Sequence, residues 1–351
     1  MSGSPLASLG WDAGREEAFE PHAQRGLVPG RVIAQHRGGY AISIAGRDLL
    51  ADAPRSLRSD RLNRPAVGDW VACELRTDGK ATVRVVLPRT SAFVRRASGD
   101  VLREQVVAAN VDVVLVVTSL GDDVEARRLE RYLALALESG ARPSIVISKV
   151  DLDGDRERAL ALVNGVAGAS GTPVHLLSVV SGEGLDEVRA YLEEGRTVAL
   201  LGSSGVGKST LLNVLVGAEL QRTAEVSADG KGKHTTTARE LFRIPGGGIV
   251  VDTPGMRELQ LWEAEEGVDE AFADIIGLVD DCRFPDCAHG SEPGCAVLAA
   301  VAAGSLDGER VERFRQLRAE LAAIDDKVEA KRRALRDPRP EPTFVRKRGP
   351  R

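Results

Sequence analysis

Gly202-Ser203-Ser204-Gly205-Val206-Gly207-Lys208-Ser209-Thr210 sets three glycines, one lysine and four hydroxyls within one short stretch. Glycines let backbone N–H groups turn inward around phosphate oxygens, Lys208 brings a positive charge to the β- and γ-phosphates, and Ser209 offers its hydroxyl to Mg²⁺. The apolar run "TVALL" precedes this stretch and "STLLNVLVG" follows it. A strand, a phosphate loop and a helix are therefore expected in that order, the helix N-terminus adding its dipole.

Two further stretches belong to the same chemistry. "IVVDTPG" ends a strand at Asp252, where an acidic residue steadies the metal through its water shell, and the Gly255 amide is placed to sense a γ-phosphate. Between them "GKGKHTTT", 230–237, is a polar, glycine-flanked loop whose threonines could complete the Mg²⁺ shell. Upstream, Ser148-Lys149-Val150-Asp151 has the form of a base-reading motif. Asp151 would accept hydrogen bonds from guanine N1–H and the exocyclic amine, and Lys149 would lie along the base face. Adenine cannot reproduce that donor pair, which disfavours an ATPase or kinase. "SVVSGEG", 178–184, falls after the next strand, where another base-contacting loop belongs. The motif is displaced, because a base-reading motif of this kind normally follows the phosphate loop. In a parallel sheet, strand order in space need not follow chain order, so a chain opened ahead of the phosphate-loop strand can still assemble the same pocket.

A second kind of chemistry lies near the C-terminus, in Cys282-x4-Cys287-x-His289-x5-Cys295. Three thiolates and one imidazole at short spacing suit tetrahedral Zn²⁺, and four protein ligands leave no open position for a substrate, so a structural zinc is expected. The fourth cysteine, Cys73, alternates with Val71 and Leu75 and reads as a small core residue in a strand.

These groups need elements to hold them. With 351 residues the chain is long enough for two or three domains. After a flexible N-terminus (1–26), residues 27–98 read as short alternating strands, with Tyr40, Ile42 and Ile44 on one face, and imply a small OB-like β-barrel. From 99 to 265, strands alternate with helices near 125–139, 155–167 and 184–194, the pattern of a mostly parallel α/β sheet. Residues 266–336 form a helical segment around the zinc ligands, and 337–351 a Pro-rich basic tail expected to be disordered until it meets a partner. The net charge of −5 argues against indiscriminate nucleic-acid binding. Its distribution does not: residues 25–103 carry +8, 104–326 carry −17 and 327–351 carry +7. A basic barrel and a basic tail flanking an acidic middle form a footprint suited to RNA phosphates. The opening residues lack a signal-peptide pattern and no long apolar run occurs, so a soluble cytoplasmic protein without membrane contact is expected.

"SKVD", "GSSGVGKST", "GKHTTT" and "DTPGMRE", preceded by the barrel and followed by "CRFPDCAHGSEPGC", resemble circularly permuted GTPases, and among them the ribosome small-subunit-dependent GTPase A family. The resemblance spans roughly residues 30 to 335. It implies a GTP-hydrolysing factor that acts in late maturation of the small ribosomal subunit; a monomer that binds GTP and GDP with Mg²⁺ and contacts rRNA is expected, the alternative being an RNA-binding assembly protein that senses GTP with little turnover. It also suggests His234 as a catalytic residue and Thr236 as the Mg²⁺ ligand among the three threonines. Ser148 replaces the commoner Asn, so the hydrogen bond tying that loop to the phosphate loop is not to be assumed, and Lys233 stands where Arg is frequent. Met256 occupies the place after D-x-x-G where many small GTPases carry a water-orienting Gln, so intrinsic hydrolysis is expected to be slow.

Overall fold

The computed structural model describes residues 5–36, 38–60, 62–97, 100–121, 123–217, 239–244, 247–252 and 264–336. Helix α1, Ala13–Ala23, starts at Asp12, whose carboxylate accepts from Arg15 N at 2.9 Å. This corrects the expectation of a flexible 1–26 segment over its described part. Leu9 and Phe19 are buried beside Trp11 and Trp70, and that apolar burial holds the segment against the barrel.

The barrel comprises β1 (Val28–His36), β2 (Gly39–Ile44), β3 (Arg47–Asp52), helix α2 (Arg55–Ser59), β4 (Trp70–Leu75) and β5 (Ala81–Val86). The strands run in the order β1-β2-β3-β5-β4, and β4 returns to pair with β1. That closes a five-stranded OB-like barrel, with β3 and β5 parallel. Alternation fills it with Val32, Tyr40, Ile42, Val71, Cys73 and Val83. Leu75, expected inside with Cys73, is exposed at the strand end.

A hairpin follows, β6 (Ala92–Ala97) with β7 (Asp100–Ala109), so a boundary at 98/99 cuts through a paired unit. Then come β8 (Val113–Ser119), α3 (Ala126–Glu138), β9 (Arg142–Ser148), α4 (Arg156–Ala167), β10 (Val174–Leu176), α5 (Leu185–Arg189), β11 (Thr197–Leu201), α6 (Lys208–Val216), β12 (Arg239–Arg243) and β13 (Ile249–Asp252). The expected helix at 184–194 is shorter, and ends in a single 3₁₀ turn at Ala190–Leu192. Strands β10, β9, β8, β11 and β13 are parallel neighbours in that order. The strands that come first in the chain thus lie on one side of β11, and β13 on the other. Strand β12 is antiparallel to β13 and also pairs with β1, Ala34 opposite Glu240, so barrel and parallel sheet share one hydrogen-bonded ladder of eleven strands.

The C-terminal segment adds α7 (Glu265–Ala271), α8 (Ala273–Val279), α9 (Ala296–Ala302) and α10 (Gly308–Arg336). Helix α7 lies directly on α3, where a Cβ on Gly267 would stand 2.1 Å from Ala134 O. Phe272, Ile275, Val311, Phe314 and Leu317 continue the core formed by Leu129, Leu133, Ile145 and Ile147. Among the described residues, no helix is long and apolar enough to cross a membrane.

Candidate functional site: a nucleotide pocket and a Cys₃His cluster

Ser119, Ser148, Leu176, Leu201 and Asp252 end their strands at one edge of the parallel sheet, the edge at which such sheets bind ligands. The phosphate loop leaves β11 at Gly202, where φ is 146° and a Cβ would meet Val117 O of β8 at 2.1 Å. Only glycine permits that approach. Gly207, at φ 96°, turns the chain into α6. Lys208 is buried, its Nζ donating to Gly202 O at 2.6 Å and to Ser203 O. Ser204, Gly205, Gly207, Lys208, Ser209 and Thr210 line a cavity of about 190 Å³ in front of the helix N-terminus. Val206 contributes backbone to the loop, because its side chain is buried in the core.

The base-reading loop meets this one directly. Ser148 Oγ lies 2.6 Å from Val206 O and 3.0 Å from Thr118 O. The replacement of Asn by Ser therefore keeps the tie between the loops: at so short a separation a hydroxyl reaches the carbonyl. Lys149 adopts φ 58°, and its Nζ donates to Gly205 O at 2.7 Å. Asp151 Oδ1 accepts from Ser178 Oγ at 2.6 Å, which leaves Oδ2 for a ligand donor among the hydrogen bonds described. Val150 turns its side chain into the core and offers only backbone.

Sequence reasoning passed over two residues that join the loops. Arg156 Nε donates to Val150 O at 3.0 Å, and its guanidinium forms a two-point pair with Glu183 at 3.1 Å for each bond. It clamps 148–151 to 178–184. The signal was available as a charge on the first turn of α4 and an opposite one in "SGEG". In the same two loops Val180 is 85% exposed and Leu152 54% exposed. Strand β13 brings Asp252 to the same edge. His234, Thr236 and Gly255 lie outside the described residues.

At the C-terminal segment, the ligand atoms of Cys282, Cys287, His289 and Cys295 all lie within 4.8 Å of one another. Cys282 Sγ is 3.9 Å from Cys295 Sγ and 3.7 Å from His289 Nδ1, and Cys295 Sγ is 3.5 Å from His289 Nδ1. A tetrahedron built on bonds of about 2.3 Å to sulfur and about 2.0 Å to nitrogen has edges of about 3.5–3.8 Å. The three edges among Cys282, His289 and Cys295 match that figure, and Cys287 completes a set of four donors close enough together to hold one metal ion.

A family model for the RsgA GTPase matches residues 86–262. A small ribosomal subunit biogenesis GTPase RsgA from Streptomyces coelicolor is 46% identical over 333 residues, covering 94% of this chain and 90% of the relative. The chain belongs to the RsgA GTPase family. The relative of the same description from Opitutus terrae is 45% identical and covers 92% of each chain. Among solved structures, YjeQ from Thermotoga maritima matches with a TM-score of 0.65 at 28% identity, over 84% of this chain and 99% of its own. YloQ, described as a circularly permuted GTPase, matches with a TM-score of 0.62 at 25% identity, over 86% and 96%. The sheet order of this RsgA-family chain explains its motif order: β9 and β10 carry the loops expected to read the base before β11 carries the phosphate loop, and all reach the same edge.

Proposed function

We propose that the protein hydrolyses GTP as a late maturation factor of the small ribosomal subunit, in the cytoplasm and as a monomer. The observation that carries this reading is the meeting of the Lys208 loop and the Asp151 loop at one sheet edge, joined through Ser148 and Val206. Asp151 reads guanine N1–H and the exocyclic amine, with Ser178 fixing one of its oxygens. Lys149 lies over the base, and the amides of 202–207 with Lys208 receive the phosphates. Mg²⁺, when bound with the nucleotide, neutralises charge between the β- and γ-phosphates, and Ser209, Thr236 and Asp252 are the residues suited to hold it. Gly255 senses the γ-phosphate, and His234 stands in for the Gln that Met256 replaces. Hydrolysis is therefore slow until a partner orders the switch residues.

That partner is RNA of the small subunit, recognised by the basic barrel and the basic tail through phosphate contacts. Zn²⁺ at Cys282, Cys287, His289 and Cys295 holds the C-terminal segment in shape and takes no part in chemistry. Affinity for small subunits should be higher with a non-hydrolysable GTP analogue than with GDP, and should fall steeply with salt. Co-sedimentation with purified subunits measures it, and equal affinity in both nucleotide states contradicts the reading.

A further inference from the structure

The loop after β8 carries an acidic residue that no motif of the family reading uses. Asp123 is 20% exposed on its side chain and gathers donors from three directions. Its Oδ2 accepts from Thr118 Oγ1 at 3.0 Å and from Ser119 N at 3.3 Å. Its Oδ1 accepts from Arg128 Nη1 of α3 at 3.0 Å and from Ser203 Oγ at 2.6 Å. Ser203 is the second residue of the phosphate loop, and its carbonyl, with that of Gly202, is where Lys208 rests.

Each half of the phosphate loop thus has its own anchor. The second half, Gly205 and Val206, hangs on Lys149 and Ser148 of the base-reading loop. The first half hangs on Asp123. When a triphosphate enters, Lys208 must exchange the carbonyls of Gly202 and Ser203 for phosphate oxygens. The Asp123–Ser203 bond keeps the strand-proximal half in place while Lys208 moves. A partly buried anionic acceptor paired with Arg128 is suited to that task, because charge-assisted hydrogen bonds are short and geometrically strict. We infer that Asp123 is a positioning residue for the phosphate loop, acting through Ser203 to set the end of the pocket that faces the γ-phosphate. The inference rests on the phosphate loop being the nucleotide site.

The test measures affinity for a non-hydrolysable GTP analogue and for GDP separately, with fluorescent nucleotides, on the full chain. Ser203→Ala removes only the hydroxyl and leaves Asp123 with Thr118, Ser119 and Arg128. It should weaken the triphosphate by about tenfold, the worth of one charged hydrogen bond, and GDP by about threefold or less. Asp123→Asn should act in the same direction, and Ser203→Thr, which restores a hydroxyl, should recover most of the triphosphate affinity. Equal losses for both nucleotides in Ser203→Ala, or no loss for either, overturn the inference. Lys208→Ala separates the two levels: if that variant keeps wild-type affinity for both nucleotides, the phosphate loop is not the site and the inference falls with it.

Discussion

The barrel and the C-terminal segment both join the GTPase sheet, and the buried polar groups at the two joints are of opposite kinds. The barrel joins through backbone, since β1 pairs with β12, the strand that follows the "GKHTTT" loop in the chain. One buried cation completes the joint. Arg31 donates to Leu9 O, to Thr197 Oγ1 at 2.8 Å, to Asn110 O at 3.2 Å and to Gly68 O at 3.3 Å, and lies over the Trp70 ring at 5.3 Å. These neighbours are neutral dipoles, and burial, with Arg15 nearby, pulls the guanidinium down to about 9, still cationic at neutral pH. The C-terminal segment packs on α3 through the shared apolar core, and the buried polar groups at that joint are opposed charges. Glu130 of α3 is 2% exposed between Arg310 at 3.1 Å and Arg313 at 2.9 Å, and Arg310 also meets Asp274 at 2.7 Å above the Phe272 ring. A joint of dipoles tolerates the loss of a partner differently from a joint of charges, because a buried charge left alone costs far more than an unmet carbonyl.

That contrast can be broken by mutation. Glu130→Ala removes the buried carboxylate that Arg310 and Arg313 share, leaving buried Arg310 with Asp274 as its ion-pair partner, and should destabilise the protein by about 3–5 kcal/mol. Denaturant titration measures the loss, and hydrogen exchange should place it in α7–α10 while the barrel amides keep their protection. Arg31→Met leaves the carbonyls of Leu9, Gly68 and Asn110 without that donor but also removes a buried cation, so a smaller loss of about 2–3 kcal/mol is expected. Trp11 and Trp70 at that joint give a fluorescence readout of its opening. A larger loss for Arg31→Met than for Glu130→Ala reverses the ranking and the physical reason given for it.

Most of the parallel sheet could be read from the chain before its structure. "VDVVLVVTS", "PSIVISKVD" and "TVALL" are continuous apolar runs bounded by polar turns, which suits strands buried on both faces. The Cys₃His cluster was equally plain, because its four ligands lie close in sequence and local spacing carries the geometry. What escaped was long-range. No local pattern tells that Ala34 will face Glu240, or that Arg31 will find acceptors from residues 9, 68, 110 and 197. Helix α1 was missed because its anchors, Leu9, Trp11 and Phe19, follow no helical period and find their partner in Trp70, far along the chain. The tie made by Ser148 depends on how near two loops pass, a distance that sequence does not state.

Under the proposed function, this GTPase answers to the small ribosomal subunit. The most direct measurement is the GTP hydrolysis rate of the full chain taken side by side with purified small subunits, purified large subunits and protein-free rRNA. Slow turnover alone, strong stimulation by small subunits and little by the other two is the predicted result. Equal stimulation by large subunits, or none by small ones, would contradict it.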